Sequence, residues 1–166
     1  ASSPDPVTKA VVEPLLGHPR QNGYGLTWAS TTVTPTRLDA PRAECSVGPP
    51  LPGVAIRLVD GQGLDVADDT PGELWVRGPN VMHGYYRNAA LTAATVNHDG
   101  WLNTGDMAQR APDGDLFIVG RTKELIIHSG FNVHPAEVEG VLNAHPAVSQ
   151  SAGIGQRISR VRVGHQ

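Results

Sequence analysis

The sequence predicts an α+β protein in which a small, distorted β-barrel of short strands is followed by a smaller α/β unit. Nineteen glycines and 14 prolines, with few aromatic residues, favour short strands and many turns. Between residues 46 and 119, apolar runs of strand length alternate with glycine and proline. After residue 120 the pattern changes to a hairpin and an amphipathic helix. We therefore divide the chain into regions 1–120 and 121–166.

The composition argues against several classes of protein. The 166 residues suffice for one domain with a real core or for two small ones. The net charge is -3, with 13 basic and 16 acidic residues mixed along the chain, so no nucleic-acid partner is indicated. Cys45 is the only cysteine, which excludes an internal disulfide and fits a reducing compartment. With no apolar run of membrane-spanning length and no recognisable signal peptide, we predict a cytoplasmic protein.

The first predicted element is a short helix. Asp5 supplies an N-cap and Pro6 the first helical position, and apolar residues up to Leu16 give the helix one apolar face. Pro14 falls in the last turn, where it removes a backbone donor. The helix is therefore predicted to end near Glu13 or to be distorted there.

An aromatic residue between two glycines marks residues 22–30, which read NGYGLTWAS. Gly23 and Gly25 flank Tyr24, an arrangement that holds an aromatic ring at the tip of a tight loop. A simply packed aromatic residue is the plainer interpretation of Tyr24. The segment is predicted to be a loop around this ring, and it also contains Asn22, Thr27 and Trp28.

Short strands of the barrel are predicted on both sides of a turn-rich segment. Residues 54–59 alternate imperfectly between apolar and polar side chains, and residues 73–77 alternate well. Residues 84–86 predict a turn, and residues 91–96 predict a short helical segment. Four glycines are interpreted as serving turns and close packing: Gly48, Gly53, Gly72 and Gly78.

A carboxylate follows a glycine in the segment Thr104, Gly105 and Asp106. The glycine lets the backbone approach a ligand closely, and the segment is predicted to be a turn that places the carboxylate on a loop. The two carboxylate oxygens suit a pair of vicinal hydroxyls, because they can accept two hydrogen bonds at once. A plain turn residue is the simpler interpretation of Asp106 taken alone.

A tight hairpin turn is predicted at Asp113 and Gly114, followed by an apolar run of strand length at residues 116–119. Arg121 and Lys123 then interrupt the apolar pattern, which indicates a boundary. Beyond it, a second hairpin and a helix that begins at residue 135 are predicted. The apolar face of this helix comprises Val138, Val141 and Leu142.

The order and spacing of these motifs resemble those of the AMP-forming acyl-CoA synthetases, in the superfamily that also contains luciferases and peptide-synthetase adenylation domains. The resemblance covers nearly all of residues 1–155 and depends on NGYGLTWAS and DGWLNTGDMAQRAPDGDLFIVGRTKELIIHSGFNVHPAEVE. Enzymes of this family join a carboxylic acid to AMP, using ATP and Mg²⁺, and then transfer the acyl group to coenzyme A. The resemblance therefore implies a piece of a fatty-acid or other acyl-CoA ligase, whose partners are the acid, ATP/AMP and coenzyme A.

The resemblance also assigns the two regions. Residues 1–120 are implied to be the C-terminal part of the large adenylate-forming domain, with its helix, nucleotide loop and β-barrel subdomain. Residues 121–166 are implied to be the truncated start of the C-terminal lid domain, with a strand at residues 147–154. Residues 156–166 have no counterpart in the family.

Each candidate site residue takes its role from the resemblance. Tyr24 is implied to stack on adenine, Asp106 to bind the ribose hydroxyls and Arg121 to reach the ribose. Thr27 is implied to touch a phosphate oxygen, and Lys123 to lie at the hinge about which the lid rotates. Further contacts with the nucleotide or with the thiol of coenzyme A are implied for Ser3, Asn22, Gly23, Gly25 and Gly130.

Trp28 departs from the family, which has a Mg²⁺-binding glutamate at this place. An indole offers an N–H donor and no oxygen for a hard cation, so no metal site is predicted. The seven histidines form no i, i+4 pair and are interpreted as surface and turn residues. The family's phosphate-binding loop and its late lid lysine are also not recognised. We therefore predict a fragment that keeps the adenosine-facing half of a site and is inactive alone.

Three alternatives stay open. The chain could be a non-catalytic nucleotide-binding or interaction module that has kept Asp106 and Arg121. It could be an adenylation-domain fragment of a peptide synthetase, although the strand at residues 125–127 followed by SGFNVHP favours a CoA ligase. It could also be a degenerate product that does not fold stably. The carboxylic acid substrate and the oligomeric state are not predicted.

Overall fold

A computed structural model of the chain describes residues 6–37, 39–40, 45–128 and 131–156. These residues form two compact units. The first unit ends at Thr122, and the second begins at the next residue. That the units correspond to a large domain and a lid remains a prediction.

The first unit contains two helices, two short strands that pair with each other, and four longer strands. In chain order these are α1 (Pro6–Leu16), β1 (Gly23–Tyr24), β2 (Thr34–Pro35), β3 (Ala55–Val59), β4 (Gly72–Arg77), α2 (Ala89–Thr95), β5 (Leu102–Arg110) and β6 (Leu116–Arg121). The strands predicted near residues 54–59, 73–77 and 116–119 and the helix predicted near residues 91–96 are confirmed.

The main sheet of this unit is an antiparallel meander of four strands in the order β3-β4-β5-β6. Strand β3 is one edge of the sheet and β6 is the other, so the sheet is open. The predicted barrel is therefore wrong. Closing a barrel requires hydrogen bonds between strands far apart in sequence, with a fixed tilt and stagger, and the local alternation of residues does not specify these.

Strand β4 forms because its side chains alternate between the core and the other face of the sheet. Leu74 and Val76 are fully buried, whereas Glu73 and Trp75 are half-buried. The core gathers the buried apolar side chains of the sheet and of the segment before it: Tyr24, Ala29, Val33, Val47, Leu58, Leu74, Val76, Leu102, Ala108 and Leu116. This packing brings residues 24–33 against the sheet.

The hairpin between β5 and β6 confirms the turn predicted at Asp113 and Gly114. The Ala111 amide donates to the Asp115 carbonyl at 2.9 Å, and the Gly114 amide donates to the Ala111 carbonyl at 2.9 Å. Gly114 has a φ of 88°, a conformation that favours glycine. The turn fixes the register that pairs Arg110 with residue 116 across the two strands.

Close packing requires glycine at three of the four positions interpreted in this way. A methyl group on Gly48 would overlap the carbonyl oxygen of Pro35, and methyl groups on Gly72 and Gly78 would also meet neighbouring atoms. Gly53 has open space around it but a φ of 83°. The interpretation of these glycines as turn and packing residues is confirmed.

Of the two alternatives predicted for helix α1, an end near Glu13 is wrong, because the helix continues through Pro14 to Leu16. Its apolar residues Val11, Leu15 and Leu16 are exposed, so this part of the predicted apolar face does not contribute to the core of the unit.

The second unit contains a hairpin and a helix, both as predicted. Strand β7 (Ile126–His128) pairs with β8 (Phe131–Val133), and helix α3 is Pro135–Asn143. The strand predicted at residues 147–154 is wrong, since this segment contains turns and irregular backbone. In the part of the chain that the structure describes, no helix is long and apolar enough to cross a membrane.

Candidate functional site

Asp106 lies inside strand β5, so its predicted place on a loop is wrong. Between the pairs Glu73 with Met107 and Trp75 with Asn103, strand β4 has one residue where β5 has three. The two extra residues form a bulge, which re-aims side chains without ending the strand. Asp106 is the last residue of this bulge and is only 6% exposed.

The bulge is held by the side chains that precede Asp106. The Thr104 hydroxyl donates to the Leu74 carbonyl at 2.7 Å and accepts the Asp106 amide at 3.1 Å. The amide of Gly105, whose φ is 72°, donates to Asn103 Oδ1 at 2.9 Å. These bonds satisfy the amides of Gly105 and Asp106 and fix the backbone beneath the carboxylate.

Tyr24 contacts this carboxylate directly. Its hydroxyl donates to Asp106 Oδ2 at 2.6 Å. Tyr24 belongs to the short strand β1 and is 5% exposed, so its predicted place at the tip of a loop is wrong. Strand β1 keeps this position because the Val33 amide donates to the Tyr24 carbonyl at 2.9 Å.

Arg121 approaches the other carboxylate oxygen. It is the cross-strand partner of Asp106, and its Nε lies 3.3 Å from Asp106 Oδ1. Because the Arg121 side chain is 55% exposed, this ion pair contributes only about 0–1 kcal/mol to stability. An ionised carboxyl has about four lone-pair sites, so Asp106 can still accept two more hydrogen bonds.

The environment of Tyr24 raises the pKa of its hydroxyl well above the ordinary value of 10.0. Burial is the main cause, and the hydrogen bond to Asp106 adds to it. The hydroxyl therefore stays protonated in the folded chain and remains a donor to the carboxylate.

Tyr24→Phe is expected to change how stability depends on pH. Below pH 10 the neutral hydroxyl is present in both folded and unfolded chains. Above pH 10 only the unfolded chain ionises, so the wild type loses up to about 1.4 kcal/mol per pH unit and the Phe variant does not. Urea unfolding between pH 8 and 11 measures this difference. Tyr86→Phe, at a ring that is 85% exposed, is the matched control, and equal profiles for all three proteins would contradict the burial of Tyr24.

The turn that contains Thr27 and Trp28 is attached to the segment after β4. Asn80 Nδ2 donates to the Ala29 carbonyl at 3.2 Å and to the Thr32 carbonyl at 3.1 Å. The Met82 amide donates to the Trp28 carbonyl at 2.8 Å. These bonds fix a 3₁₀ turn, Thr27–Ala29, in which Thr27 and Trp28 are exposed.

Gly25 is required by the backbone next to Tyr24. A Cβ atom at this position would overlap the carbonyl of Thr31. Ser30 and Thr31 both have positive φ, of 48° and 76°, which fold the chain back onto Gly25. The glycine therefore permits the close turn that follows β1.

The structure brings together Tyr24, Asp106 and Arg121 among the predicted site residues. Asn22 lies next to this group in sequence, and its Nδ2 donates to the Ser46 carbonyl at 3.2 Å. Lys123 is exposed in a 3₁₀ turn and belongs to the second unit. Two other predicted residues, Ser3 and Gly130, lie outside the described residues.

The sequence did not predict that the side chains of Thr104 and Asn80 support the backbone of the candidate site. A threonine two residues before an aspartate is a local signal, since such hydroxyls often accept the amide two positions on. Asn80 offers no comparable signal, because the carbonyls that it contacts lie about 50 residues away.

The described residues contain no group of three or more His, Cys, Asp and Glu side chains that could hold a metal ion. At Trp28, where a carboxylate was expected from the family, the side chain has no oxygen to coordinate a cation. One histidine differs from its interpretation as a surface residue, since His134 is 6% exposed where it precedes α3.

Solved structures with this arrangement of strands and helices define the fold. ATP-bound MatB from Rhodopseudomonas palustris matches 90% of the chain with a TM-score of 0.83 and 36% identity. O-succinylbenzoate coenzyme A synthetase (MenE) from Bacillus subtilis, in complex with AMP, matches 95% with a TM-score of 0.79 and 30% identity. The chain covers 30% and 33% of these two proteins. The fold is thus the mixed α/β fold of adenylate-forming enzymes.

Sequence comparison identifies the family. The profile of the family described as AMP-binding enzyme matches residues 1–86, about half of the chain, and the chain belongs to this family. A long-chain-fatty-acid–CoA ligase of Yersinia pestis is 47% identical over 153 residues. A 4-coumarate–CoA ligase-like protein of Oryza sativa subsp. japonica is 44% identical over 140 residues. The chain spans 27% and 25% of the lengths of these two relatives.

Proposed function

We propose that residues 22–31 and strands β5 and β6 form the adenosine-binding half of an adenylate-forming active site. The observation that carries this proposal is the buried Asp106 carboxylate, whose oxygens face the Tyr24 hydroxyl at 2.6 Å and the Arg121 guanidinium at 3.3 Å. Its remaining lone pairs suit the two vicinal hydroxyls of a ribose. Arg121 supplies positive charge beside a nucleotide that carries negative charge.

The whole protein is proposed to be an ATP-dependent acyl-CoA ligase. In that reaction a carboxylate attacks the α-phosphorus of ATP, pyrophosphate leaves, and the thiol of coenzyme A then displaces AMP from the acyl adenylate. The names of the relatives as CoA ligases support this class and favour it over a peptide-synthetase adenylation domain. Lys123 at the lid hinge and Gly130 near the thiol remain parts of this proposal, as does a cytoplasmic location.

This chain alone is proposed to bind adenosine without catalysing the reaction. Groups placed to stabilise developing charge usually supply most of the rate of an enzyme. Trp28 supplies no ligand for Mg²⁺ at the turn where a carboxylate is expected. We therefore assign no step to a metal in this chain. Thr27, exposed on the same turn, is the residue proposed to contact a phosphate oxygen.

A non-catalytic nucleotide-binding module is the second candidate function, and Trp28 is the observation that favours it. Such a module would keep the contacts between Asp106, Tyr24 and Arg121 while needing neither metal nor coenzyme A. Turnover measured with the whole protein separates the two, because the module would bind AMP and form no acyl-CoA.

A stable acyl-adenylate mimic is the probe that tests the proposed function, because it needs the adenosine contacts and no pyrophosphate site. We expect saturable binding heat and a raised melting temperature when the chain is titrated with the mimic. A chain that melts cooperatively and does not bind would contradict the proposal. A chain without a cooperative melt would instead be the unstable, degenerate product considered above.

Trp28→Glu is expected to make ATP binding depend on Mg²⁺, with about a tenfold gain in affinity, because it adds a charged oxygen ligand. The backbone of the turn should survive, since it is held through the Trp28 carbonyl by Met82. Calorimetric titration with and without Mg²⁺ measures the effect, and Trp28→Gln is the uncharged control. If Mg²⁺ leaves the affinity of the Glu variant unchanged, the turn does not face the phosphates as proposed.

A further inference from the structure

The Thr104 hydroxyl joins two parts of the site. It is in a buried residue, 8% exposed, and it bonds the Leu74 carbonyl of β4 and the Asp106 amide. One side chain therefore connects the neighbouring strand to the backbone of the residue that bears the carboxylate.

A bulge of two extra residues needs such a connection. Bulged residues lose their ladder hydrogen bonds, and Gly105, at a φ of 72°, brings conformational freedom to the middle of the bulge. The Thr104 hydroxyl replaces two of the missing ladder contacts, one on each strand. Without it, the Asp106 amide and the Leu74 carbonyl would both lose a partner in a buried place.

Asn103 does not provide the same function. Its Oδ1 accepts the Gly105 amide, but its side chain is only half-buried and makes no bond to Asp106. Thr104 alone combines a bond to the opposite strand with a bond to the residue that bears the carboxylate.

We propose that Thr104 is a positioning residue that sets the Asp106 carboxylate at the height and angle at which it accepts the ribose hydroxyls. This inference rests on the proposed function, since it gives Thr104 a role only in contacts that Asp106 makes. Its signature is selective: loss of the hydroxyl weakens recognition of the ribose hydroxyls and leaves the rest of the nucleotide contacts in place.

The test compares AMP with 2′,3′-dideoxy-AMP by calorimetric titration. Thr104→Val is expected to weaken AMP binding about tenfold, the effect of one or two ordinary hydrogen bonds, while the dideoxy analogue binds both proteins equally. Thr104→Ser keeps the hydroxyl and is expected to retain AMP affinity. Equal losses for AMP and the analogue, or a Ser variant as weak as the Val variant, would overturn the proposal.

Thr92→Val is the matched control for a purely structural effect. The Thr92 hydroxyl also accepts a backbone amide, that of Tyr85, and donates to a backbone carbonyl, that of Asn88, both at 2.9 Å. It lies on α2, outside the bulge at residues 104–106. We expect Thr92→Val to leave the preference for AMP over the dideoxy analogue unchanged.

Hydrogen exchange of the Asp106 amide tests the inference without a nucleotide and without a variant that must fold. The bond to Thr104 predicts a protected amide in the wild type, and rapid exchange there would contradict the positioning role. If the wild type binds AMP and the dideoxy analogue equally, the proposed ribose contact fails instead. Rapid exchange of the Asp106 amide would therefore overturn the role of Thr104. Equal binding of AMP and the dideoxy analogue by the wild type would instead overturn the proposed ribose contact.

Discussion

Asp106→Ala is expected to weaken binding of an acyl-adenylate mimic by about 100-fold or more. Two hydrogen bonds from the ribose hydroxyls to an ionised acceptor contribute about 1.5–3 kcal/mol each, and alanine removes both. Calorimetric titration of the folded variant measures the loss. Asp99→Ala, on an exposed turn of the same unit, is the control and should bind the mimic as the wild type does. A variant without Asp106 that binds as well as the wild type would exclude this carboxylate from the nucleotide site.

The same substitution should also reduce stability, for a separate reason. It leaves the buried Tyr24 hydroxyl without its acceptor, which costs about 1–3 kcal/mol. Removing that hydroxyl as well, in Asp106→Ala with Tyr24→Phe, should recover part of the loss. Urea unfolding of the two single variants and the double variant gives the interaction energy between the Tyr24 hydroxyl and the Asp106 carboxylate. Additive losses would show that the 2.6 Å contact does not exist in solution.

Gly48→Ala is expected to destabilise the first unit by about 3 kcal/mol or more. The φ of 82° disfavours any side chain by about 1–2 kcal/mol, and the new methyl group would also overlap the Pro35 carbonyl of β2. Gly48 is buried, and its carbonyl accepts the Leu116 amide at 3.2 Å, so the strain reaches the edge of the main sheet. Urea unfolding followed by tryptophan fluorescence measures the change.

Gly53→Ala is a closely matched control for this prediction. Gly53 has a φ of 83°, almost identical to that of Gly48, but no atom lies within 4 Å of the position that a Cβ would take. The control should therefore lose only the backbone cost, about 1–2 kcal/mol. Equal losses for the two variants would mean that β2 does not pack against Gly48.

The strands of the main sheet could be predicted because their signals are local. Alternation at residues 73–77 and the turn at Asp113 and Gly114 each specify a structure within a few residues. The open sheet was mistaken for a barrel, because local alternation does not specify whether the first and last strands pair. An end of helix α1 near Glu13 was one alternative predicted from Pro14, but the helix accommodates this proline in its last turn and continues to Leu16.

The composition of the candidate site could be predicted, but its geometry could not. A glycine followed by an aspartate suggested a turn, whereas the chain at Asp106 stays in a strand that bulges past Leu74. Two flanking glycines suggested a ring at the tip of a tight loop, whereas Tyr24 is buried in the short strand β1. In each case the deciding partner is distant in sequence, and a pattern read over ten residues contains no information about it.

The bond between Tyr24 and Asp106 joins residues that are 82 positions apart in the chain. Closing so long a loop has a large entropic cost, so we expect this contact to form after the local hairpins. Partly folded chains with an intact β4–β5–β6 meander would therefore keep Asp106 and Arg121 but lack the Tyr24 hydroxyl, and so would hold only part of the proposed site. Full affinity for a nucleotide would then report complete folding of the first unit, and a bound nucleotide would slow its unfolding.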